Sequence, residues 1–94
     1  MIILEIRDTS DRDIHLTQEQ WKHIRKEHPT VTDLDEVKET LLHPLAVRPS
    51  KYDPDFVRWY YRFNKKRKRY MLVSVKYLNG EGFIITAYYT RNLR

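Results

Sequence analysis

Four histidines, one lysine in an apolar run and a Thr-x-Tyr pair are the residues of this 94-residue chain best suited to chemistry. His23 and His28 stand five apart in a helix-like stretch, point in different directions and make no chelating pair. No further histidine or carboxylate cluster has ligand spacing, so the residues argue against a metal centre. The chain has no cysteine, which removes disulfides, thiolate ligands and a thiol nucleophile. No glycine-rich phosphate loop and no Gly-x-Ser-x-Gly elbow occur, so no nucleotide cofactor is expected. What the residues do support is metal-free acid–base chemistry on a phosphodiester. Histidine can take or give a proton near neutrality. Lys76 with Arg58 or Arg62 could stabilise the charge that develops, and Thr86 and Tyr88, at i and i+2, could hold a phosphate oxygen or donate a proton.

Each residue also has a plainer reading. His28 beside Pro29 could cap its helix or pack in the core, and His23 could be solvated. His43 precedes Pro44 at a helix end, where a cation suits the dipole. His15 is as weak a candidate. Lys65–Arg69 reads as a solvated turn or as a loop that steers RNA.

Charge is unevenly spread. Residues 1–43 hold 6 Lys/Arg against 10 Asp/Glu, whereas residues 44–70 hold 9 against 2. Eleven of the twelve aromatics lie beyond residue 50. A basic, aromatic half suits RNA, because cations release counterions from phosphates and rings stack on unpaired bases. The length fits one domain. The apolar runs fall far short of a membrane span, and Met1–Arg7 opens as a strand rather than a leader, so a cytoplasmic protein is expected.

The elements that must position these side chains follow from periodicity. Residues 2–7 read as a strand, and Ile14–Leu16 as a short strand or an extended lead-in. Thr17-Gln18-Glu19-Gln20 fits a capping box that starts a helix carrying Trp21, Ile24 and His28 on one face. Asp33-Leu34-Asp35-Glu36 starts a second helix, striped by Leu34, Val37, Leu41 and Leu42 and closed by His43-Pro44. Strands follow at Leu45–Arg48, Phe56–Phe63, Tyr70–Leu78 and Gly82–Thr90. The architecture expected is α+β: two N-terminal helices packed on one face of an antiparallel β-meander.

A three-residue loop Asn79–Glu81 would place Tyr77 opposite Phe83. It would sort Met71, Val73, Val75, Tyr77, Phe83, Ile85, Ala87 and Tyr89 onto the core face. Val57, Trp59, Tyr61 and Phe63 would join them. The open face would then carry Arg58, Tyr60, Arg62, Tyr70, Ser74, Lys76, Thr86 and Tyr88.

The ordered set Trp21 to Pro29, Leu41-Leu42-His43-Pro44, a basic-aromatic strand, Val73-Ser74-Val75-Lys76 and Phe83 to Tyr88 resembles a known family. It is that of the phage- and mobile-element-associated (PBECR-type) nuclease domains grouped with barnase, EndoU, the tRNase colicins and RelE toxins. The resemblance spans nearly the whole chain. It implies a small barnase/RelE-like fold and metal-independent RNA cleavage to a 2′,3′-cyclic phosphate. Its helix histidine maps to His28, with His23 as companion, its basic strand residue to Lys76 and its Thr-x-Tyr to Thr86 and Tyr88. It also implies a toxin-type role restrained by an acidic antitoxin or immunity protein. RNA would be held by Arg58, Tyr60, Arg62, Lys65, Lys66, Arg67, Lys68 and Arg69. The alternatives are a non-catalytic RNA-binding module and a protein-interaction domain that uses the same face.

Overall fold

The computed structural model describes residues 1–8 and 10–93; Thr9, in the polar stretch after the first strand, and Arg94 lie outside the described residues. The elements are β1 (Ile2–Arg7), β2 (Asp13–Thr17), α1 (Gln18–Glu27), α2 (Leu34–Leu42), β3 (Ala46–Pro49), β4 (Val57–Asn64), β5 (Arg69–Leu78) and β6 (Glu81–Thr90). They build a compact α+β domain around one six-stranded sheet ordered β1-β2-β6-β5-β4-β3.

Thr17 Oγ1 accepts from the Gln20 amide at 3.2 Å, which starts α1 as the capping pattern requires. The Gln20 side chain leaves the box and donates to the Ile85 carbonyl of β6 at 2.6 Å. Asp33 Oδ1 accepts from the Asp35 amide at 2.9 Å and from that of Glu36, which starts α2. Ile24 of α1, Val31, and Val37 and Leu41 of α2 are buried in one cluster with Ile6, Ile14, Leu16, Met71, Val73, Val75, Ile84 and Ala87 of the sheet.

The sheet is mixed rather than purely antiparallel. β2 pairs antiparallel with β1 but runs parallel to β6, through Ile14 opposite Gly82 and His15 opposite Phe83. The N-terminal hairpin thereby extends the meander instead of standing apart from it.

The final hairpin also departs from the expected register. Asn79 (φ 55°) and Gly80 (φ 80°) form a two-residue turn of left-handed residues, the type that matches strand twist. Tyr77 therefore faces Gly82, and Lys76 faces Phe83. Between Val75–Ile84 and Ser74–Thr86 the pairing shifts by one, leaving Ile85 as an extra residue on β6. Above this bulge the expected pairs Val73–Ala87 and Met71–Tyr89 form. Phe83 and Ile85 lie outside the core, 39% and 38% exposed.

β4 faces the opposite way from the expectation. The turn at 65–68 pairs Asn64 with Arg69, so Tyr60 pairs with Val73 and points to the helix side. Val57, Trp59 and Tyr61 turn to the other side, where they form a second buried cluster with Leu72, flanked by Ala46, Tyr70, Tyr88 and Leu93. Alternation in β4 is aromatic on both faces, so hydropathy alone did not reveal which set turns inward.

Gly82 sits where three side chains converge. A Cβ there would meet Tyr77 Cε1 at 2.9 Å and the Cγ1 atoms of Ile14 and Val75 at 3.0 Å. Gly82→Ala should lower stability by about 1–3 kcal/mol through overpacking, read as a fall in the denaturation midpoint at unchanged m-value. An unchanged midpoint would show that β2 can move off β6 freely.

Candidate active site

The side of the sheet that carries the second cluster holds a cleft of about 360 Å³, lined by Ser50, Tyr52, Asp53, Val57, Trp59, Leu72, Ser74, Lys76, Ile85, Thr86 and Tyr88. Pairing across the strands builds its floor: Trp59 lies beside Ser74 and Ser74 beside Thr86, while Leu72 lies beside Tyr88. One wall is the segment between β3 and β4. There Ser50 Oγ accepts from the backbone amides of Tyr52 (3.1 Å) and Asp53 (3.3 Å). Those bonds fix the segment and leave Tyr52 84% exposed, its ring edge-on to Trp59 at 6.1 Å. Lys76 Nζ stands 4.0 Å from Asp53 Oδ2 at one end.

His28 does not line the cleft itself but stands behind Tyr88, which does. It caps α1, its backbone amide donating to Ile24 O at 2.8 Å, and its half-buried ring stacks on Tyr88 at 5.1 Å and 29°. This contact joins the helix end to the cleft face. It arises because β2 leaves β6 after His15, so that α1, with Gln20 on the Ile85 carbonyl, takes over that edge. Leu72, opposite Tyr88, is four residues along β5 from Lys76, about 13 Å. Tyr88, backed by His28, and Lys76 thus lie toward opposite ends of the cleft.

Other expected residues lie elsewhere. His23 is exposed on α1, 3.2 Å from Glu27, and lines no part of the cleft. Arg58 and Arg62 share the helix side with Tyr60. The Arg58 guanidinium donates to Pro54 O (2.9 Å) and that of Arg62 to His43 O (2.7 Å). The Tyr60 and Tyr77 hydroxyls are hydrogen-bonded, and Tyr77 donates to Asp8 Oδ2 at 3.0 Å. Burial, then this bonding and the Asp8 charge, push the Tyr77 hydroxyl far above the ordinary phenol range. These three β4 residues therefore do not belong to the open face. The expectation failed because Tyr60 buries its ring where its hydroxyl finds a partner, a pattern sequence alternation does not register.

The basic turn splits in the same way. Lys65, Lys66 and Lys68 are exposed, and the Arg69 guanidinium donates to Lys68 O. Arg67 is committed to structure: its guanidinium donates to Thr30 O at 3.3 Å and lies 4.5 Å over the Tyr89 ring. Tyr89 donates in turn to Glu36 Oε1, while Asn64 Nδ2 donates to Glu36 Oε2 at 2.8 Å. Tyr88 and Tyr89, on opposite sides of β6, thus hold the segment from His28 to Thr30 between them.

Sequence reasoning missed Tyr52, Asp53 and Trp59. The signal available was Ser50-Lys51-Tyr52-Asp53-Pro54, a turn-forming stretch that places an aromatic and a carboxylate beside the basic strand. His15 lies on the cleft side next to Phe83 (5.7 Å), with Glu5 and Glu81 each 3.5 Å from its ring nitrogens. Among the described residues no three of His, Asp and Glu stand where they could together hold a metal ion. No helix among them is long and apolar enough to cross a membrane.

Burial, and the bond to Glu36, raise the Tyr89 hydroxyl from 10.0 to about 12. The folded state therefore keeps a proton that the unfolded chain releases from about pH 10 upward, so stability should fall as pH rises through that window. In Tyr89→Phe the decline of the denaturation midpoint between pH 10 and 12 should be shallower. An identical slope would remove Tyr89 from the account.

No protein-family model, curated protein or solved structure compared with this chain matches it.

Proposed function

We propose that this protein is an endoribonuclease of the barnase/RelE-like kind, working without a metal ion. The observation that carries the reading is the His28 ring stacked on Tyr88, a lining residue of a cleft that also holds Thr86 and Lys76. These residues are far apart in the chain and include the types that phosphodiester transesterification needs. A base removes the 2′-OH proton, the oxygen attacks phosphorus, and an acid protonates the departing 5′-oxygen. The products are a 2′,3′-cyclic phosphate and a 5′-hydroxyl. His28 performs one of the two proton transfers. Thr86 and Tyr88 hold the phosphate oxygens beside it, and Lys76 holds the substrate at the other end of the cleft. The exposed Lys65, Lys66 and Lys68 attract the phosphate backbone on the way in. Arg58, Tyr60 and Arg62 take no part. A toxin-type role, restrained by an acidic antitoxin or immunity protein laid over the cleft, accords with this reading.

Purified protein incubated with tRNA and mixed RNA in excess EDTA should leave cyclic phosphate ends. An oligonucleotide lacking the 2′-OH should stay whole. His28→Ala should cut about 10²–10⁴-fold more slowly, with its denaturation midpoint near that of the unmodified chain. RNA bound but never cut would instead identify a binding module, and neither binding nor cutting would identify a protein-interaction surface.

Replacing both Lys65 and Lys66 by Ala should weaken RNA binding with little change in single-turnover rate. The slope of log K against log salt should become shallower by about 1 to 2. An unchanged slope would mean that the turn does not meet the backbone.

A further inference from the structure

The helix side of the sheet carries a second cavity, of about 190 Å³, whose polar lining is Asp8, Ser10, Arg12, Arg58 and Tyr60. Arg58 and Tyr60 alternate along β4 with Val57 and Trp59 of the cleft, so the strand itself separates the two spaces. None of the five polar residues lines the cleft, and the cavity is independent of the ribonuclease reading. It is smaller than the roughly 300–1,000 Å³ pockets that take drug-sized ligands, so it suits a small ion.

Two guanidiniums border it, and both are already fixed. Arg12 Nε donates to Ser10 Oγ at 2.8 Å, and its Cζ lies 3.8 Å from the centre of the Tyr77 ring. Arg58 Nη1 donates to Pro54 O at 2.9 Å. Each fork keeps further N–H donors, and a donor held in place loses less entropy on binding. Asp8 is no free acceptor beside them. Its Oδ1 accepts from the Ser10 amide (2.8 Å), the Ser10 hydroxyl (2.7 Å) and the Arg12 amide (3.0 Å), and its Oδ2 from Tyr77. Two cations against one saturated carboxylate leave the cavity suited to an anion.

The direction of the hydroxyl protons narrows which anion. Tyr77 gives its proton to Asp8, so Tyr60 must give its own to Tyr77. Burial raises the Tyr60 hydroxyl above the ordinary phenol range and keeps it protonated, while the Arg12 and Arg58 charges pull the other way. The hydroxyl therefore offers the cavity only a lone pair, strengthened by the chain of donors that ends on the Asp8 carboxylate. An occupant must accept from the arginines and also bring a proton for Tyr60. Sulfate and carboxylates have no such proton near neutrality; inorganic phosphate has one. We infer that this cavity is a binding site for inorganic phosphate, held by Arg12 and Arg58 and recognised through the P–O–H that it donates to Tyr60.

The test compares tetrahedral dianions that differ by that one proton: inorganic phosphate, sulfate and methyl phosphate, at constant ionic strength. Esters lose their second proton at about pH 6, so at about pH 8 only inorganic phosphate keeps an O–H. Each is titrated while NMR follows the guanidinium carbons of Arg12 and Arg58, with the indole N–H of Trp59 reporting on the cleft. Phosphate should shift both arginines and bind at least about tenfold more tightly than sulfate or methyl phosphate, the effect of one hydrogen bond to a charged group. Tyr60→Phe keeps the ring but removes the acceptor, so phosphate should fall to within about twofold of sulfate. Arg58→Ala should weaken phosphate binding by about tenfold or more. Sulfate or methyl phosphate binding as tightly as phosphate would overturn the site, and so would a preference that survives Tyr60→Phe. Shifts confined to Trp59, or no shift with phosphate, would overturn it too. The ranking of the three anions in the unmodified protein decides the matter even where Tyr60→Phe fails to fold.

Discussion

The edge of β6 is the constraint on which the rest of the structure depends. β2 occupies that edge only at Gly82 and Phe83 and then gives way to α1. At the handover β6 carries one residue too many, Ile85, and its carbonyl is taken by the Gln20 side chain at 2.6 Å. A bulge changes which residues share a face, because side chains alternate with a period of two. Below it, Lys76 and Phe83 share the cleft side; above it, Thr86 and Tyr88 do. Without the extra residue, the two-residue turn at Asn79-Gly80 would turn Thr86 and Tyr88 toward the helix side. The same handover brings the end of α1 level with Tyr88, which is how His28 reaches that ring.

The arginines illustrate how a basic composition is divided between binding and architecture. Arg58, Arg62 and Arg67 each donate to a backbone carbonyl, of Pro54, His43 and Thr30 respectively. Those carbonyls lie at segment ends, where backbone acceptors lack partners inside a helix or sheet. A planar, permanently charged fork suits that task. The lysines of the turn at 65–68 stay exposed. Much of the positive charge in the middle of the chain is therefore structural, and the portion left to act on a ligand is smaller than the count suggests.

Polar chemistry is likewise divided between the two sides of the sheet. On the helix side, the Tyr60–Tyr77–Asp8 chain and the Tyr89–Glu36–Asn64 chain join β4, β5 and β6 to the N-terminal segment and to α2. The Asp8 carboxyl is held below its usual range: burial opposes ionisation, but donors from Arg12, Ser10 and Tyr77 outweigh it. These groups are satisfied by one another. On the other side, the Asp53–Lys76 pair and Tyr88, with His28 stacked on it, border open space.

Local chemistry made much of the element order legible in the residues. Thr17 and Asp33 cap helices because their side chains accept from orphan amides, and the long β-branched and aromatic runs of β5 and β6 mark them as strands. That Lys76, Thr86 and Tyr88 share one side of the sheet was legible too, since they sit on neighbouring strands. The sequence could not specify the face of β4, which depends on the turn at 65–68 and on a hydroxyl partner at Tyr77, seventeen residues away. Nor could it specify the bulge at Ile85 or the parallel pairing of β2 with β6, because both arise from segments far apart in the chain competing for one strand edge. His28, legible as a helix-ending histidine, meets Tyr88 only through that competition. Local sequence determined the elements and their caps; long-range packing against the β6 edge decided which side chains meet.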